Sequence, residues 1–406
     1  MKFSEFGLDP KLQEGIEAIG YENATPVQDA TIPLILEGKD MIASAQTGTG
    51  KTAAFLLPVI NKILQQPEDD HIKALIIVPT RELAVQIDQQ LEGLSYYTSV
   101  SSLAVYGGGD GSSFDRERKA LSEGADIIIG TPGRLIAHLN MKYVKVEKLN
   151  YLILDEADRM LDMGFNEDIT KIMSFLPKKR QSLLFSATMP PKMRALAKEI
   201  LIDPEEVSIS ISKPNEKIVQ AAFIVYDSQK IPLVKHILKA EWLKSVIVFC
   251  STKDSTKQLT RDLKKAGNPV EEIHSDLDQK QREDVLSLFK SKKLITLVAT
   301  DILSRGIDVE DIDLVINYDV PNEGEDYIHR IGRTARAARK GAAFTFVNEK
   351  EQSKMLAIEE LLGKPVPKAK IPEHIGEGPE YKPVKGRGGR GGKGGGYRGK
   401  KGPKRS

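Results

Sequence analysis

The feature that most constrains this chain is a repeated change of period. Short, continuous apolar runs rich in β-branched residues each end in a polar or glycine-containing loop and give way to a helical pattern. The first series is Leu75–Val78, Ile127–Ile129, Tyr151–Leu154 and Leu183–Phe185. A second begins after Lys217, with Val246–Phe249, Ile295–Val298, Leu314–Ile316 and Ala343–Val347. Runs that are apolar at every position, rather than alternating, belong to strands covered on both faces, which is the condition of a parallel sheet between helix layers. Two series predict two tandem, doubly wound α/β lobes, at 1–208 and 217–368. The linker is expected at 209–216, where Ser210, Ser212, Lys213, Pro214 and Asn215 break the pattern. A chain of 406 residues is long enough to build two such cores.

From residue 369 hydrophobic content falls away, and after Tyr381 the chain is mostly glycine, lysine and arginine, so 369–406 reads as a disordered, RNA-binding tail. Lys382–Ser406 holds ten Lys or Arg and no acidic residue. Removing those ten from the net +2 leaves the preceding residues at −8, so the tail, not the body, advertises a polyanionic partner. No apolar run is long enough for a spanning helix, and Met1–Glu5 has no signal core, so a cytoplasmic protein with no membrane partner is expected. Cys250 is the single cysteine, which rules out an intrachain disulfide framework and a cysteine-built zinc site. The six histidines lack ligand spacing, so no zinc is expected.

Two stretches carry chemistry. Ala45-Gln46-Thr47-Gly48-Thr49-Gly50-Lys51-Thr52 follows the apolar Met41-Ile42-Ala43 and precedes a helical pattern. Glycines let backbone N–H groups wrap phosphates at a helix start. Lys51 then meets the terminal phosphates, and the Thr52 hydroxyl ligates Mg²⁺. Alanine stands at position 45, where the general phosphate-loop pattern has glycine. Asp155-Glu156-Ala157-Asp158 directly follows Tyr151–Leu154. A carboxylate at that strand end can hold Mg²⁺, and the next can orient and deprotonate a water aimed at a γ-phosphate.

Asp155–Asp158 spells the name-giving motif of the DEAD-box RNA helicases, and the chain resembles that family from about Phe3 to Lys368, with its motifs in order. The resemblance implies two RecA-like lobes, ATP with Mg²⁺, and RNA as partner. It makes Gln28 a reader of adenine. It gives Phe3 either a stacking role on the base or a packing role on the lobe. Pro79, Thr80 and Arg81, then Gly107 and Gly108, then Thr131 and Arg134 match RNA-backbone elements of the first lobe; Gln279, Arg282, Thr300 and Asp301 match those of the second. Ser186 and Thr188, with Asp158, match the motif coupling hydrolysis to unwinding. Gly306 and Asp308 match nucleotide contacts, and Arg333 and Arg336 the arginine fingers. Ala24, Ser275, Ser304, Ala335 and Ala338 depart from the family pattern.

The expected activity is RNA-stimulated ATP hydrolysis that unwinds short RNA duplexes locally and remodels RNA–protein complexes, with catalysis by Lys51, Asp155, Glu156, Arg333 and Arg336. Contacts to the backbone imply little sequence selectivity. Ribonucleoprotein or RNA-decay complexes are the expected surroundings. The rival expectation is an ATP-gated RNA clamp or assembly scaffold that turns over slowly.

Overall fold

The computed structural model describes residues 1–45, 48–67, 69–108, 111–209, 218–300, 312–334 and 341–383. Gln46, Thr47, Asp301, Gly306, Asp308 and Arg336, most of the expected linker and the stretch 384–406 lie outside them.

The first lobe is built on β1 (Met41–Ser44), β2 (Ala74–Ile77), β3 (Ser102–Val105), β4 (Ile127–Gly130), β5 (Tyr151–Leu154), β6 (Gln181–Ser186) and β7 (Glu205–Ser208). They pair in the order β3-β4-β2-β5-β6-β1-β7, every pairing parallel. The second sheet takes β8 (Ile218–Ile224), β9 (Val246–Cys250), β10 (Val270–Ile273), β11 (Thr296–Thr300), β12 (Leu314–Asn317) and β13 (Gly341–Val347). Its order is β10-β11-β9-β12-β13-β8, again parallel throughout. The expected fold class is therefore the observed one.

Helices cover both faces. In the first lobe they are α1 (Pro10–Ala18), α2 (Pro26–Leu36), α3 (Lys51–Leu64), α4 (Arg81–Leu94), α5 (Gly111–Glu123), α6 (Pro132–Asn140), α7 (Ala157–Asp162), α8 (Asn166–Met173) and α9 (Pro191–Ile200). In the second they are α10 (Asp227–Ile237), α11 (Lys253–Lys265), α12 (Gln279–Lys290), α13 (Gly324–Ile331) and α14 (Gln352–Leu362). Alternate residues of one strand feed opposite layers: Ile76 and Ile153 pack with α3 and α4, whereas Leu75, Leu152 and Leu154 pack with α6, α8 and α9. That division is why the strands read as unbroken apolar runs. Cys250 lies fully buried at the end of β9, where burial pushes its thiol well above the ordinary range; it is a core residue, as expected.

The tail begins later than composition suggests. Residues 369–383 are folded onto the second lobe: Ala369 N–H donates to Ala222 O at 2.9 Å, and Ile371 and Ile375 pack on the core. Two side-chain amides hold the strap. Gln229 donates to Ile375 O and Glu377 O, while Gln352 donates to Glu380 O and accepts from Lys382 N–H. The Tyr381 hydroxyl donates to Glu359 at 2.7 Å. A few apolar anchors and two glutamines suffice where average hydrophobicity is low, which a window of composition cannot register.

Candidate nucleotide site and RNA-facing edge

The order of the first sheet sorts the motifs along its carboxyl edge, the edge where open parallel sheets place ligands. The loops after β3, β4 and β2 are neighbours, and they carry Gly107 and Gly108, Thr131, and Pro79-Thr80-Arg81. The loops after β5, β6 and β1 follow, carrying Asp155–Asp158, Ser186–Thr188 and the phosphate-loop residues.

At the β1 end the chain leaves through Ala45, whose N–H donates to Ser186 O at 3.0 Å. Gly48 and Gly50 then take φ of 83° and 93°, left-handed values that favour glycine. A Cβ on Gly50 would lie 2.5 Å from Gln28 Nε2, so the turn needs glycine for space as well. Lys51 opens α3 and is 6% exposed, with Nζ buried and without a hydrogen-bond partner. Thr52 is half-buried beside it. Gln28 is buried with its amide spanning the turn: Nε2 donates to Gly50 O at 3.0 Å, and Oε1 accepts from Thr25 N–H at 2.8 Å. One Nε2 hydrogen and one Oε1 lone pair remain for a base. Phe3 is different. It is 2% exposed and packs on the lobe, stacked on Tyr21 with centroids 5.8 Å apart.

After β5, Asp155 and Glu156 are both buried. Glu156 takes φ 49°, ψ 47°, a left-handed conformation that costs a non-glycine residue about 1 kcal/mol. Its N–H donates to Asp155 Oδ1 at 2.9 Å, while its Oε2 stands 3.6 Å from Arg159 without a hydrogen bond. Burial pushes the Asp155 carboxyl up to about 6, with Glu156 adding to the rise and Lys51 opposing it. Asp158 reaches across to the next strand: its Oδ2 accepts from Ala187 N–H at 3.2 Å, Thr188 N–H at 2.9 Å and the Thr188 hydroxyl at 3.0 Å. Ser186 does not reach it. Its hydroxyl donates to Thr188 O at 2.6 Å and braces the turn instead.

Along the other half of the edge, the Thr80 side chain caps α4, accepting from Leu83 N–H. Gly108 has φ 93°, and the Thr131 side chain makes no cap bond at the start of α6. Arg134 is committed elsewhere. Its Nε donates to Glu117 at 2.7 Å and its guanidinium lies over Phe114, so it braces α5 against α6 rather than facing a ligand.

In the second lobe, Thr300 ends β11 with its hydroxyl buried and unpartnered, next to the β10 loop that leads into Gln279 and Arg282. Arg282 donates to Ser275 O at 3.1 Å. Arg330 is almost fully buried beneath α13, donating to Asn317 Oδ1 and Asp319 O, and Arg333 follows the helix, also buried. One arrangement escaped the sequence. Arg81 donates to Glu283 across the lobes at 2.8 Å, and Arg282 lies 3.9 Å from Glu82. The available signal was an Arg-Glu dipeptide near the start of both α4 and α12.

Among the described residues no group of three or more His, Cys, Asp or Glu could hold a metal ion, and no helix is long and apolar enough to cross a membrane.

A family model for DEAD/DEAH box helicases matches residues 25–196, and one for the helicase conserved C-terminal domain matches residues 229–338. The ATP-dependent RNA helicase CshA of Listeria monocytogenes is 45% identical over 360 residues, 88% of this chain and 68% of that protein. The Bacillus subtilis DEAD-box ATP-dependent RNA helicase CshA is 40% identical over 371 residues, 91% and 74% respectively. S. cerevisiae Dbp5 bound to RNA and ADP BeF3 superposes with a TM-score of 0.81 at 31% identity, covering 91% of this chain and 95% of that one. A DEAD box protein from Methanococcus jannaschii, 39% identical, reaches 0.53 while covering 91% and 99%. The whole-chain arrangement is thus nearer the RNA-bound structure, despite its lower identity.

Proposed function

Because the chain belongs to the DEAD/DEAH box helicase family and is an ATP-dependent RNA helicase, we propose that its first sheet binds ATP at one half of its carboxyl edge and RNA at the other. The observation that supports this is the strand order, under which the first-lobe loops matching RNA-backbone elements follow β3, β4 and β2, and the phosphate loop and Asp155–Asp158 follow β1 and β5. Asp158 bridges the inner pair of the nucleotide half through its three bonds to Ala187 and Thr188, so movement in one strand-end loop is felt in the next.

Lys51 Nζ, a buried ammonium without a protein partner, takes the terminal phosphates; the Gln28 amide takes the adenine edge. Thr52 and Asp155 would hold a divalent cation, Mg²⁺, and the fit is good: a cation without hydrogen bonds and a glycine cradle after β1, and a buried carboxylate after β5 on which that cation acts, share one carboxyl edge. When bound, Mg²⁺ supplies charge neutralisation on the phosphates. Glu156, whose Oε2 is free of hydrogen bonds, orients the attacking water and takes its proton. Arg333 supplies a guanidinium from the second lobe, as does Arg336 beyond the described residues. RNA phosphates meet the Thr80, Gly108 and Thr131 loops opposite Gln279 and Thr300, which bends a short duplex strand and releases it locally. A cytoplasmic setting within ribonucleoprotein or RNA-decay complexes accords with this activity.

Glu156→Gln tests the assignment. Hydrolysis should fall at least about a hundredfold, the scale of a lost general base, with nucleotide affinity nearly kept. A variant that hydrolyses ATP at the parent rate overturns the role given to Glu156. ATP consumed per RNA strand released separates unwinding from slow clamping.

A further inference from the structure

At the opposite, amino edge of the first sheet lies a hollow of about 740 Å³ that the nucleotide cycle does not use. Lys73 leads into β2, Tyr151 opens β5 and Gln181 opens β6, so two strands that end at the nucleotide site, β5 and β6, begin here beside β2. Tyr151 stands four residues before Asp155, roughly 13 Å along an extended chain. Lys62 stands eleven residues after Lys51 along α3, roughly 16 Å away. The two sites share elements but no residues.

Among the described residues, Lys62, Lys73, Lys148, Lys179 and Arg180 line the hollow against a single carboxylate, Asp69. Three of these cations are held in place: Lys73 by Asp126 at 2.8 Å, Lys148 by Asp69 at 3.0 Å, and Arg180 by Pro177 O at 2.5 Å. Arg180 Nε is left buried with no partner, and Lys62 and Lys179 have no ion pair among the described residues. Tyr151 adds a neutral donor. Its oxygen accepts from Gln66 at 3.2 Å, leaving its own O–H, and burial raises the phenol so that the proton stays. Like charges gathered in one concavity repel, and an anion that bridges them removes the repulsion. The hollow is open to solvent and has the volume of a small-ligand site. Among the described lining residues the aromatic ring is that of Tyr151, which is buried and not open for base stacking.

We propose that this hollow binds a compact anion carrying two or more adjacent phosphate groups. Phosphates of that spacing occur in soluble polyphosphates and in a nucleic-acid strand end, and the experiment distinguishes them. With the phosphate loop saturated by a non-hydrolysable ATP analogue and Mg²⁺, inorganic tripolyphosphate is titrated calorimetrically into the full chain. One further site should appear. Lys62→Glu with Lys179→Glu should weaken it roughly thirtyfold, with basal ATPase unchanged. Lys239→Glu with Lys265→Glu, exposed on the second lobe, should leave it alone. Competition by a 5′-triphosphorylated RNA decamer, but not by its unphosphorylated form, assigns the site to strand ends; competition by neither assigns it to soluble polyphosphate. Absence of the second site, or equal weakening by both lysine pairs, overturns the proposal.

Discussion

Two buried lysines, one in each lobe, stand in opposite states. Lys51 is 6% exposed and its ammonium has no hydrogen-bond partner; Lys230 is 3% exposed and lies 2.9 Å from Asp319, 3.3 Å from Glu351 and 3.5 Å from Asp227. Burial alone would lower the Lys230 ammonium, but Asp319 and Glu351 outweigh it and hold it above its usual value. Lys230 ties α10 to the β12 loop and to the start of α14, and is complete without a ligand. A buried ammonium without hydrogen bonds is costly to fold around even with a carboxylate nearby, so a lobe that keeps one must recover that energy from something that binds. The lesson is that partner count, not burial, separates a structural ion from a binding one.

Removing each charge should sharpen this contrast. Lys230→Met leaves three carboxylates around an empty position, and loss of one member of a buried ion network costs about 3–5 kcal/mol, which urea unfolding would report in the second lobe. Lys51→Met breaks no hydrogen bond and removes only the through-space charge that opposes the rise of Asp155. It should cost less than about 1 kcal/mol of stability, yet weaken nucleotide binding roughly a hundredfold, since a charge-assisted phosphate contact is gone. If both variants lose equal stability, the distinction fails.

Asp155 extends the comparison to pH. Its folded carboxyl is raised to about 6, so its contribution to stability is present below the unfolded value near 4 and is lost as pH rises through about 6. The ligand-free protein therefore carries a penalty at neutral pH, at most about 3 kcal/mol for a shift of this size. Asp155→Asn should raise the ligand-free melting temperature at pH 7.5 and give little gain at pH 4, while cation-dependent nucleotide binding is lost. Equal gains at both values would mean that charge burial is not the cause.

The sequence was legible where both faces of a strand are covered. The continuous runs anticipate β2, β4, β5, β6, β9, β11, β12 and β13 to within about two residues, and all of these are interior strands. The four strands at the sheet edges, β3, β7, β8 and β10, gave no such run. Each is partly exposed, as in the β7 sequence Glu205-Glu206-Val207-Ser208, because an edge has one neighbour and tolerates charge. Within the site, residue types and spacing pointed to Lys51, Asp155 and Glu156. They could not tell that Arg134 is spent on Glu117, because that pairing depends on where α5 packs, nor that Phe3 turns inward onto Tyr21.

Arg81 stands between the two lysines: paired, but across a boundary that can open. Its bond to Glu283 at 2.8 Å and the looser approach of Arg282 to Glu82 at 3.9 Å form a reciprocal clasp between the lobes, whose two arginines are residues that the family pattern matches to RNA contacts. Glu283 is more than half exposed, so screening limits the stronger pair to about 0.5 kcal/mol. Such a pair is weak enough for a phosphate to replace. Glu283→Arg should therefore shift lobe separation only slightly in the absence of RNA, as read by fluorescence transfer between labels on α1 and α11, and the shift should disappear in high salt. Arg81→Glu combined with Glu283→Arg should restore the RNA-free separation, because the pair is re-formed with its signs exchanged. It should not restore RNA affinity, because the phosphate-facing cation has left the first lobe. Recovery of both would make the clasp itself the RNA determinant, and recovery of neither would mean that Arg81 and Glu283 are neighbours without coupling.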